Sequence, residues 1–169
     1  MKKLIKKILI YFRSVKIFES KIINNSTNYK FYKLHYIKSL NKINRINKNI
    51  SDYFIENKEK KNRFKKKQYF LALTYKQDLV CSGWIFKGRY WYIAEIDLKI
   101  KINNTLVLFD FITPKEHRSK GNYTKILKMI AKKFNNKKLL IYTLSSNKPS
   151  LNGIKNAGFV FKKKLDYSS

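Results

Sequence analysis

The segment from Phe109 to Leu127 carries the strongest chemical signal in the sequence. Its apolar residues lead into a basic turn that contains Gly121, and an amphipathic pattern of helical period follows the turn. Free backbone N–H groups and the positive end of the helix dipole make a helix start favourable for a phosphate or pyrophosphate. Gly121 lets the backbone curl around an anion, while Arg118 and Lys120 add positive charge. Taken alone, the turn is equally consistent with an ordinary strand-to-helix connection whose basic residues are solvated.

Residues Arg118 to Tyr123 resemble the acyl-CoA pyrophosphate loop Q/R-x-x-G-x-G/A of the GNAT N-acetyltransferase superfamily. The apolar segment Thr105 to Thr113 precedes this loop, as it does in that family. Farther along the chain, Asn147 to Ser150 and Ala157 to Phe159 resemble the family's closing N-x-x-A/S and k-x-GF elements, in the same order and at the usual spacing. The resemblance extends from Tyr29 to Leu165.

Three positions depart from the common form of the family, and one of them is Lys115, where many members have Pro. Tyr123 stands where many members have Gly or Ala, and it is similar to the form found in acyltransferases of surface-glycan loci. Ile154 lies near the position where many members carry an acid-donating tyrosine. The resemblance therefore implies a surface-glycan branch, and it predicts no tyrosine acid at position 154.

The resemblance also implies a binding site for acetyl-CoA or another acyl-CoA. In the family, pantetheine inserts as a surrogate strand, here between Thr105–Thr113 and the predicted buried strand Leu139–Thr143. Its phosphates would lie on the backbone N–H groups from Ser119 to Thr124. The implied cofactor-binding residues are Phe111, Thr113, Arg118, Ser119, Lys120, Gly121, Asn122, Tyr123, Thr124, Asn147 and Ser150.

Two carboxylates are candidates for the catalytic base that direct transfer to an amine requires. Glu95 and Asp110 are both set among apolar residues, a setting in which a carboxylate can take a proton near working pH. Asp110 lies between Phe109 and Phe111 within the predicted central strand. A structural hydrogen bond to a neighbouring strand or loop is the equally weighted alternative for Asp110.

Aromatic residues near Glu95 suggest an acceptor pocket. Apolar sugar faces and acyl chains both pack on rings, so such residues can form the floor of a binding site. Core packing is the commoner reason for an aromatic run. The candidates for substrate binding are Trp84, Tyr90, Trp91 and Tyr92.

The composition indicates one domain with a strongly basic surface. A chain of 169 residues with 44% hydrophobic content is long enough to bury a sizeable core. The formal net charge is +29, but Lys, Asn, Ile, Tyr and Phe dominate as they do in A/T-rich coding sequences, so the charge is weak evidence for a partner. Nucleic acid is not the expected partner, because its binding calls for exposed aromatics interleaved with basic residues, and the aromatics lie mostly within apolar strands.

Cysteine and histidine usage excludes two classes of site. Cys81 is the single cysteine and lies in the apolar run Leu79 to Phe86, which predicts a buried structural thiol and a reducing, cytoplasmic setting. His35 and His117 are too far apart to suggest a metal motif. We therefore expect no metal, no disulfide framework and no cysteine nucleophile.

The first 27 residues predict a basic amphipathic arm ahead of a catalytic domain at 28–169. Apolar residues recur at helical spacing between Met1 and Phe18, with lysines on the other faces. The pattern fits neither a signal peptide nor a membrane span. Two interpretations have equal weight: peripheral association of residues 1–18 with the inner face of the membrane, or packing on the domain or a second subunit.

The periodicity of the remaining chain predicts an α+β fold. Hydrophobic spacing indicates helices between Leu40 and Phe54, a hairpin over Gln68–Phe86, and a helix whose inward face begins at Ile126. A short helix over Pro149–Ala157 and a final strand from Phe159 follow. Together with the resemblance, this predicts a mixed, mostly antiparallel central sheet with helices on both faces and splayed central strands.

The function expected from these residues is acyl-CoA-dependent N-acyl transfer to a small-molecule amine. The expected acceptor is an amino group of a sugar or of another small surface-polymer precursor. One alternative is an acetyltransferase that acts on protein or on aminoacyl-tRNA. The other is a non-catalytic basic protein that binds nucleic acid or membranes. The sequence does not indicate the oligomeric state.

Overall fold

A computed structural model of the chain describes residues 13–20, 29–45, 50–53 and 58–167. Its centre is a seven-stranded sheet in the order β2-β3-β4-β7-β8-β1-β9, and β5 and β6 form a separate hairpin. Strands β7 and β8 are parallel, whereas the other neighbouring pairs run antiparallel. The strands are β1 (Ser14–Ser20), β2 (Tyr32–Ile37), β3 (Gln68–Tyr75), β4 (Asp78–Lys87), β5 (Tyr90–Ile93), β6 (Leu98–Lys101), β7 (Thr105–Ile112), β8 (Lys138–Leu144) and β9 (Phe159–Asp166).

Helices and hairpin cover opposite faces of this sheet. Helix α1 (Asn122–Lys133) and helix α2 (Lys148–Asn156) pack on one face, where Ile126, Leu127 and Ile130 are fully buried as predicted. Because side chains alternate along a strand, Val107 and Leu140 point to the other face. There they join the apolar side of the β5–β6 hairpin. The predicted α+β fold with a mostly antiparallel sheet is confirmed.

The segment between β2 and β3 is helical at 40–45 and 50–53, as the spacing from Leu40 to Phe54 predicts. It contains a 3-10 helix at Leu40–Arg45, helical residues at 50–53 and a second 3-10 helix at Lys58–Lys66. None of the helices within the described ranges is long and apolar enough to span a membrane. The same residues hold no cluster of three or more His, Cys, Asp or Glu side chains suited to a metal ion.

The predicted amino-terminal helix is wrong for residues 14–18. Ser14–Ser20 is strand β1, which pairs antiparallel with β8 on one side and β9 on the other. Val15 and Ile17 are buried on one face and Phe18 contributes to the other, so the sheet uses both sides of the strand. Pairing with two distant strands overrides the helical spacing, and this part of the predicted 1–27 arm belongs to the domain. The rest of the predicted arm, at 1–12 and 21–27, lies outside the described residues.

Cys81 is a buried structural thiol, as predicted. Its side chain is fully buried on β4, and the Thr113 hydroxyl donates a hydrogen bond to its sulfur at 3.4 Å. Burial raises the pKa of the thiol to about 11 from its ordinary value of 9.0, partly offset by its hydrogen bonds with the Thr113 hydroxyl and the Ser82 backbone. The thiol is therefore neutral and inert at neutral pH.

We expect the stability of the wild type to fall relative to Cys81→Ala as the pH rises from 9 to 11. Below pH 9 the thiol is neutral in both the folded and the unfolded protein. Above pH 9 the thiol of the unfolded chain loses its proton while that of the folded protein keeps it, and this difference favours the unfolded chain. The relative loss should be on the order of 2 kcal/mol. Urea unfolding of both proteins at pH 8 and at pH 11 measures it, and an unchanged difference would contradict the assignment.

Candidate functional site

Strands β7 and β8 separate halfway along their length. They pair in parallel from Thr105 with Lys138 to Leu108 with Ile141, and β7 then continues to Ile112 and β8 to Leu144 without further pairing between these two strands. A cleft of about 990 Å³ opens between the separated ends. The predicted splayed central strands are confirmed.

A β-bulge begins the separation. Ser82 pairs with Ile112 and Trp84 with Phe109, so β7 has one residue more than β4 between these pairs. Asp110 takes a φ of +51° in the bulge, a left-handed conformation that Asp adopts more readily than most residues. A Cβ at Gly83 would lie 2.4 Å from the Phe111 ring. Since Gly83 has none, that ring covers the strand and lines the cleft.

One end of the cleft is formed by a tight turn and the start of α1. Ser119 and Gly121 have φ values of +59° and +70°, so the backbone curls immediately before α1. The first N–H groups of α1 have no partner within the helix, and no side chain of the described residues caps them at Gly121. Arg118 Nε donates to the Thr113 carbonyl at 3.1 Å and ties the turn to the end of β7. This geometry suits a phosphate or pyrophosphate.

Helix α2 forms the opposite wall. Asn147 caps it by accepting a hydrogen bond from Ser150 N at 3.2 Å, and the Ser150 hydroxyl lies 3.2 Å from the Tyr123 hydroxyl. Burial raises the pKa of Tyr123 to about 12, so this phenol stays protonated at neutral pH. The predicted cofactor-binding residues that line the cleft are Phe111, Thr113, Arg118, Ser119, Gly121, Asn122, Tyr123, Thr124, Asn147 and Ser150.

Lys120 is the predicted cofactor-binding residue that does not line the cleft. It is exposed on the turn, and its carbonyl accepts a hydrogen bond from Lys125 Nζ at 2.7 Å. His117, which is not among the predicted cofactor-binding residues, also lines the cleft. Ile154 is fully buried in the core and brings no polar group to the site.

The Tyr123 side chain fits because α2 has a glycine facing it. A Cβ at Gly153 would lie 2.5 Å from the Tyr123 ring, closer than real Cβ contacts come. Tyr123 in turn packs against Phe111 with ring centroids 5.5 Å apart. The departure from Gly or Ala at position 123 is thus accommodated by a residue thirty positions later.

Gly153→Ala is expected to destabilise the protein by about 1–3 kcal/mol, because the new methyl group overlaps the Tyr123 ring. In an ordinary helix the same change stabilises by roughly 0.5–1 kcal/mol, so the sign is diagnostic. In a Tyr123→Ala background the penalty should disappear. Chemical unfolding of the four proteins of this double-mutant cycle gives the coupling energy, and a coupling near zero would contradict the contact.

Both predicted base candidates lie at the other end of the cleft. Glu95, in the turn between β5 and β6, and Asp110, in the bulge, line it together with Tyr142 of β8. The Glu95 Oε2 atom is buried and accepts no hydrogen bond from any described residue. Tyr142 accepts a hydrogen bond from Trp91 Nε1 at 3.3 Å. Burial raises the pKa of Tyr142, and the negative charges of Glu95 and Asp110 raise it further.

Asp110 is held by two cations that the sequence did not connect with it. Arg63 Nη1 lies 2.6 Å from Asp110 Oδ2, and Lys60 Nζ lies 3.8 Å from the same oxygen. The Arg63 guanidinium also stacks on Trp84 and Phe109, 4.9 and 5.5 Å from the ring centroids. Arg63 and Lys60 belong to the 3-10 helix Lys58–Lys66, which these contacts anchor beside the cleft.

The predicted acceptor aromatics are not among the residues that line the cleft. Trp84 and Trp91 are core residues, 0% and 8% exposed. Tyr90 and Tyr92, 51% and 52% exposed, lie on the outer face of the β5–β6 hairpin. Side chains alternate between the two faces of a strand, so Trp91 and Ile93 point inward while Tyr90 and Tyr92 point outward.

No family model matches the chain, and no curated protein matches it in sequence. Solved structures match its fold. A functionally unknown conserved protein from Staphylococcus epidermidis has 13% identity and a TM-score of 0.60 over 97% of this chain. A protein described as a GNAT-family acetyltransferase, from Colwellia psychrerythraea, has 11% identity and a TM-score of 0.55 over 92% of this chain. A putative acetyltransferase of the GNAT family, from Novosphingobium aromaticivorans, has 7% identity and a TM-score of 0.58 over 90% of this chain.

These likenesses establish the fold. The matched regions cover 65%, 56% and 61% of those three chains respectively, so this chain spans less than two thirds of their length. The mixed α+β fold of this chain therefore matches that of solved GNAT-family acetyltransferases.

Proposed function

We propose that this chain, which has the fold of GNAT acetyltransferases, is an N-acyltransferase that moves an acetyl group from acetyl-CoA directly to an amine. The observation that carries the proposal is the course of the cleft. It leads from the uncapped start of α1, between the separated ends of β7 and β8, to Glu95. One end suits a pyrophosphate and the other offers a carboxylate to an ammonium group.

The residues of the cleft fit acyl-CoA. A Cβ at Gly121 would meet within 4 Å only Lys125 Nζ, at 3.8 Å, so the space beside the turn is open for a phosphate. The β7 edge beyond Leu108 and the β8 edge beyond Ile141 do not pair with each other, so an extended chain with amide groups can pair with them as an added strand. Acyl-CoA bound there would supply an activated thioester, and an unpaired backbone N–H of β7 would be available to stabilise the negative charge that develops during transfer.

Glu95 is the base in this proposal, and Asp110 is a positioning residue. The buried Glu95 Oε2 atom has no described hydrogen-bond partner and can take a proton from the acceptor ammonium, which frees the nitrogen to react. The Asp110 carboxylate is already engaged by Arg63 and Lys60, so it fixes the bulge and the mouth of the cleft. Holding amine and thioester together is worth roughly 7–11 kcal/mol of the barrier.

The acceptor that we propose is an amino sugar or another small amine of a surface-polymer precursor. Its support is the resemblance of the turn, with Tyr123 in the position typical of acyltransferases from surface-glycan loci. Tyr123 narrows the cleft against α2, and Glu95 closes the acceptor end.

A thiol-release screen tests this function. Acetyl-CoA is incubated with the protein and with amino sugars, peptides or aminoacyl-tRNA, and free CoA thiol is measured. We expect release that depends on an amino sugar, with the acetylated amine seen by mass spectrometry. Release with peptides or aminoacyl-tRNA alone would keep the acyltransferase and change its acceptor. Binding of acetyl-CoA without transfer to any of these amines would contradict the enzymatic proposal.

A further inference from the structure

The outer face of the β5–β6 hairpin carries a small platform of aromatic and basic residues. We define it by Tyr90, Tyr92, Lys99 and Lys101, all of which are exposed. Tyr90 pairs across the ribbon with Lys101, and Tyr92 pairs with Lys99. The inward residues of the same ribbon, Trp91 and Ile93 among them, pack on the sheet and hold it in place.

Rings and cations alternate on this platform at close range. Tyr90 and Tyr92 are two residues apart on one strand, so their rings project from the same face about 7 Å apart. Lys99 Nζ lies 4.8 Å from the centroid of the Tyr90 ring. The Tyr92 hydroxyl donates to Asp97, which fixes that ring, and this hydrogen bond raises the pKa of the phenol. The platform therefore presents two oriented ring faces with positive charge beside them.

The geometry points to single-stranded nucleic acid as the partner of this platform, and we propose that the hairpin binds it by stacking unpaired bases on Tyr90 and Tyr92. Stacking on exposed rings combined with lysine–phosphate attraction is the general mode of single-strand binding. Lys99 and Lys101 place positive charge beside the two rings, where it can attract the phosphates of the strand. A duplex fits less well, because its bases are already stacked on one another.

A membrane surface is the competing partner, and the residues of the platform favour it less. Leu98 and Ile100 of the ribbon pack against the core cluster beneath it. The outward residues are tyrosines and lysines, so no aliphatic side chain among these four projects toward acyl chains.

The platform lies outside the cleft, and binding of nucleic acid to it does not depend on the proposed acyl transfer.

Fluorescence anisotropy with a labelled 12-nucleotide single-stranded RNA of mixed sequence tests the proposal. Tyr90→Ala/Tyr92→Ala should weaken binding by roughly 10- to 100-fold, and Tyr90→Phe/Tyr92→Phe should retain it, because the rings and not the hydroxyls make the contact. Lys99→Gln/Lys101→Gln should lower the slope of log affinity against log salt by about 1.4. Inorganic polyphosphate, which has charge but no bases, should bind the alanine variant as well as it binds the wild type.

Phe161→Ala is the matched control, because Phe161 is also 51% exposed and lies beside lysines on β9. It should leave RNA binding unchanged. Circular dichroism and acetyl-CoA titration verify folding, and Tyr90→Ala alone replaces the double variant if that fails to fold. The proposal is overturned if the tyrosine variants bind RNA like the wild type, if Phe161→Ala weakens binding equally, or if the RNA binds no better than polyphosphate. If the tyrosine-to-alanine variants lose binding to phosphatidylglycerol vesicles but still bind RNA, the platform is a membrane-binding surface instead.

Discussion

Glu95→Gln is expected to lower turnover by roughly 10²–10⁴-fold while leaving acetyl-CoA affinity unchanged. Glutamine has the shape of glutamate but cannot take the proton of the acceptor ammonium. The deficit should narrow as the pH rises, since a growing fraction of the amine is then unprotonated in solution. Steady-state kinetics with the acceptor identified by the thiol-release screen measures both effects, and calorimetry measures the affinity.

Two other carboxylates provide controls for this prediction. Asp97 lies in the same turn as Glu95 but is exposed and does not line the cleft, so Asp97→Asn should keep wild-type turnover. Asp110→Asn should raise KM more than it lowers kcat, because Asp110 holds Arg63 and the bulge in position. If Glu95→Gln keeps full turnover at every pH, the base assignment is wrong, although the cofactor site can still stand.

Gly121→Val is expected to weaken acetyl-CoA binding by at least about 100-fold, because the added side chain occupies the space next to the first N–H groups of α1. Few protein atoms would contact it there, so the ligand meets the obstruction. Arg118→Ala should weaken binding by only about 10-fold, since it removes one exposed charge and leaves the backbone donors in place. Isothermal titration calorimetry with CoA distinguishes these outcomes.

Gly158→Val separates loss of binding from loss of stability. Gly158 also has a left-handed backbone, with a φ of +89°, and it does not line the cleft. Both valine variants should lose about 1–2 kcal/mol of unfolding free energy from backbone strain, and only Gly121→Val should lose CoA affinity. Equal affinities in the two variants would contradict the location of the phosphate site.

Local signals were sufficient to predict the anion end of the cleft. The turn, the start of α1 and its inward face lie within about one and a half dozen consecutive residues, and hydrophobic period plus Gly121 define them. The outward direction of Tyr90 and Tyr92 was also available from sequence, because Tyr-Trp-Tyr-Ile alternates with the strand period. A prediction that assigns all four aromatics to one pocket does not use this alternation.

The other features of the fold and of the site depend on contacts between residues far apart in the sequence, which local patterns do not reveal. Strand β1 gains its hydrogen bonds from β8 and β9, more than a hundred residues away, and nothing in its own spacing reveals those partners. Arg63 and Asp110 are 47 positions apart, and the contact between Tyr123 and Gly153 requires two helices to be placed first. Tyr142 was missed for the same reason, since its neighbour Glu95 comes from the hairpin inserted before β7.

Hydrogen exchange with and without acetyl-CoA tests the central claim most directly, because it shows where on the chain the cofactor binds. Bound acetyl-CoA should slow exchange of the amides at 119–124, where the pyrophosphate is expected, and of those at 109–113 and 142–144 along the separated strands. The amides of β9 and of the β5–β6 ribbon should exchange at the same rate in both samples. Protection absent from 119–124, or confined to surfaces outside the cleft, would contradict an acyl-CoA site between β7 and β8.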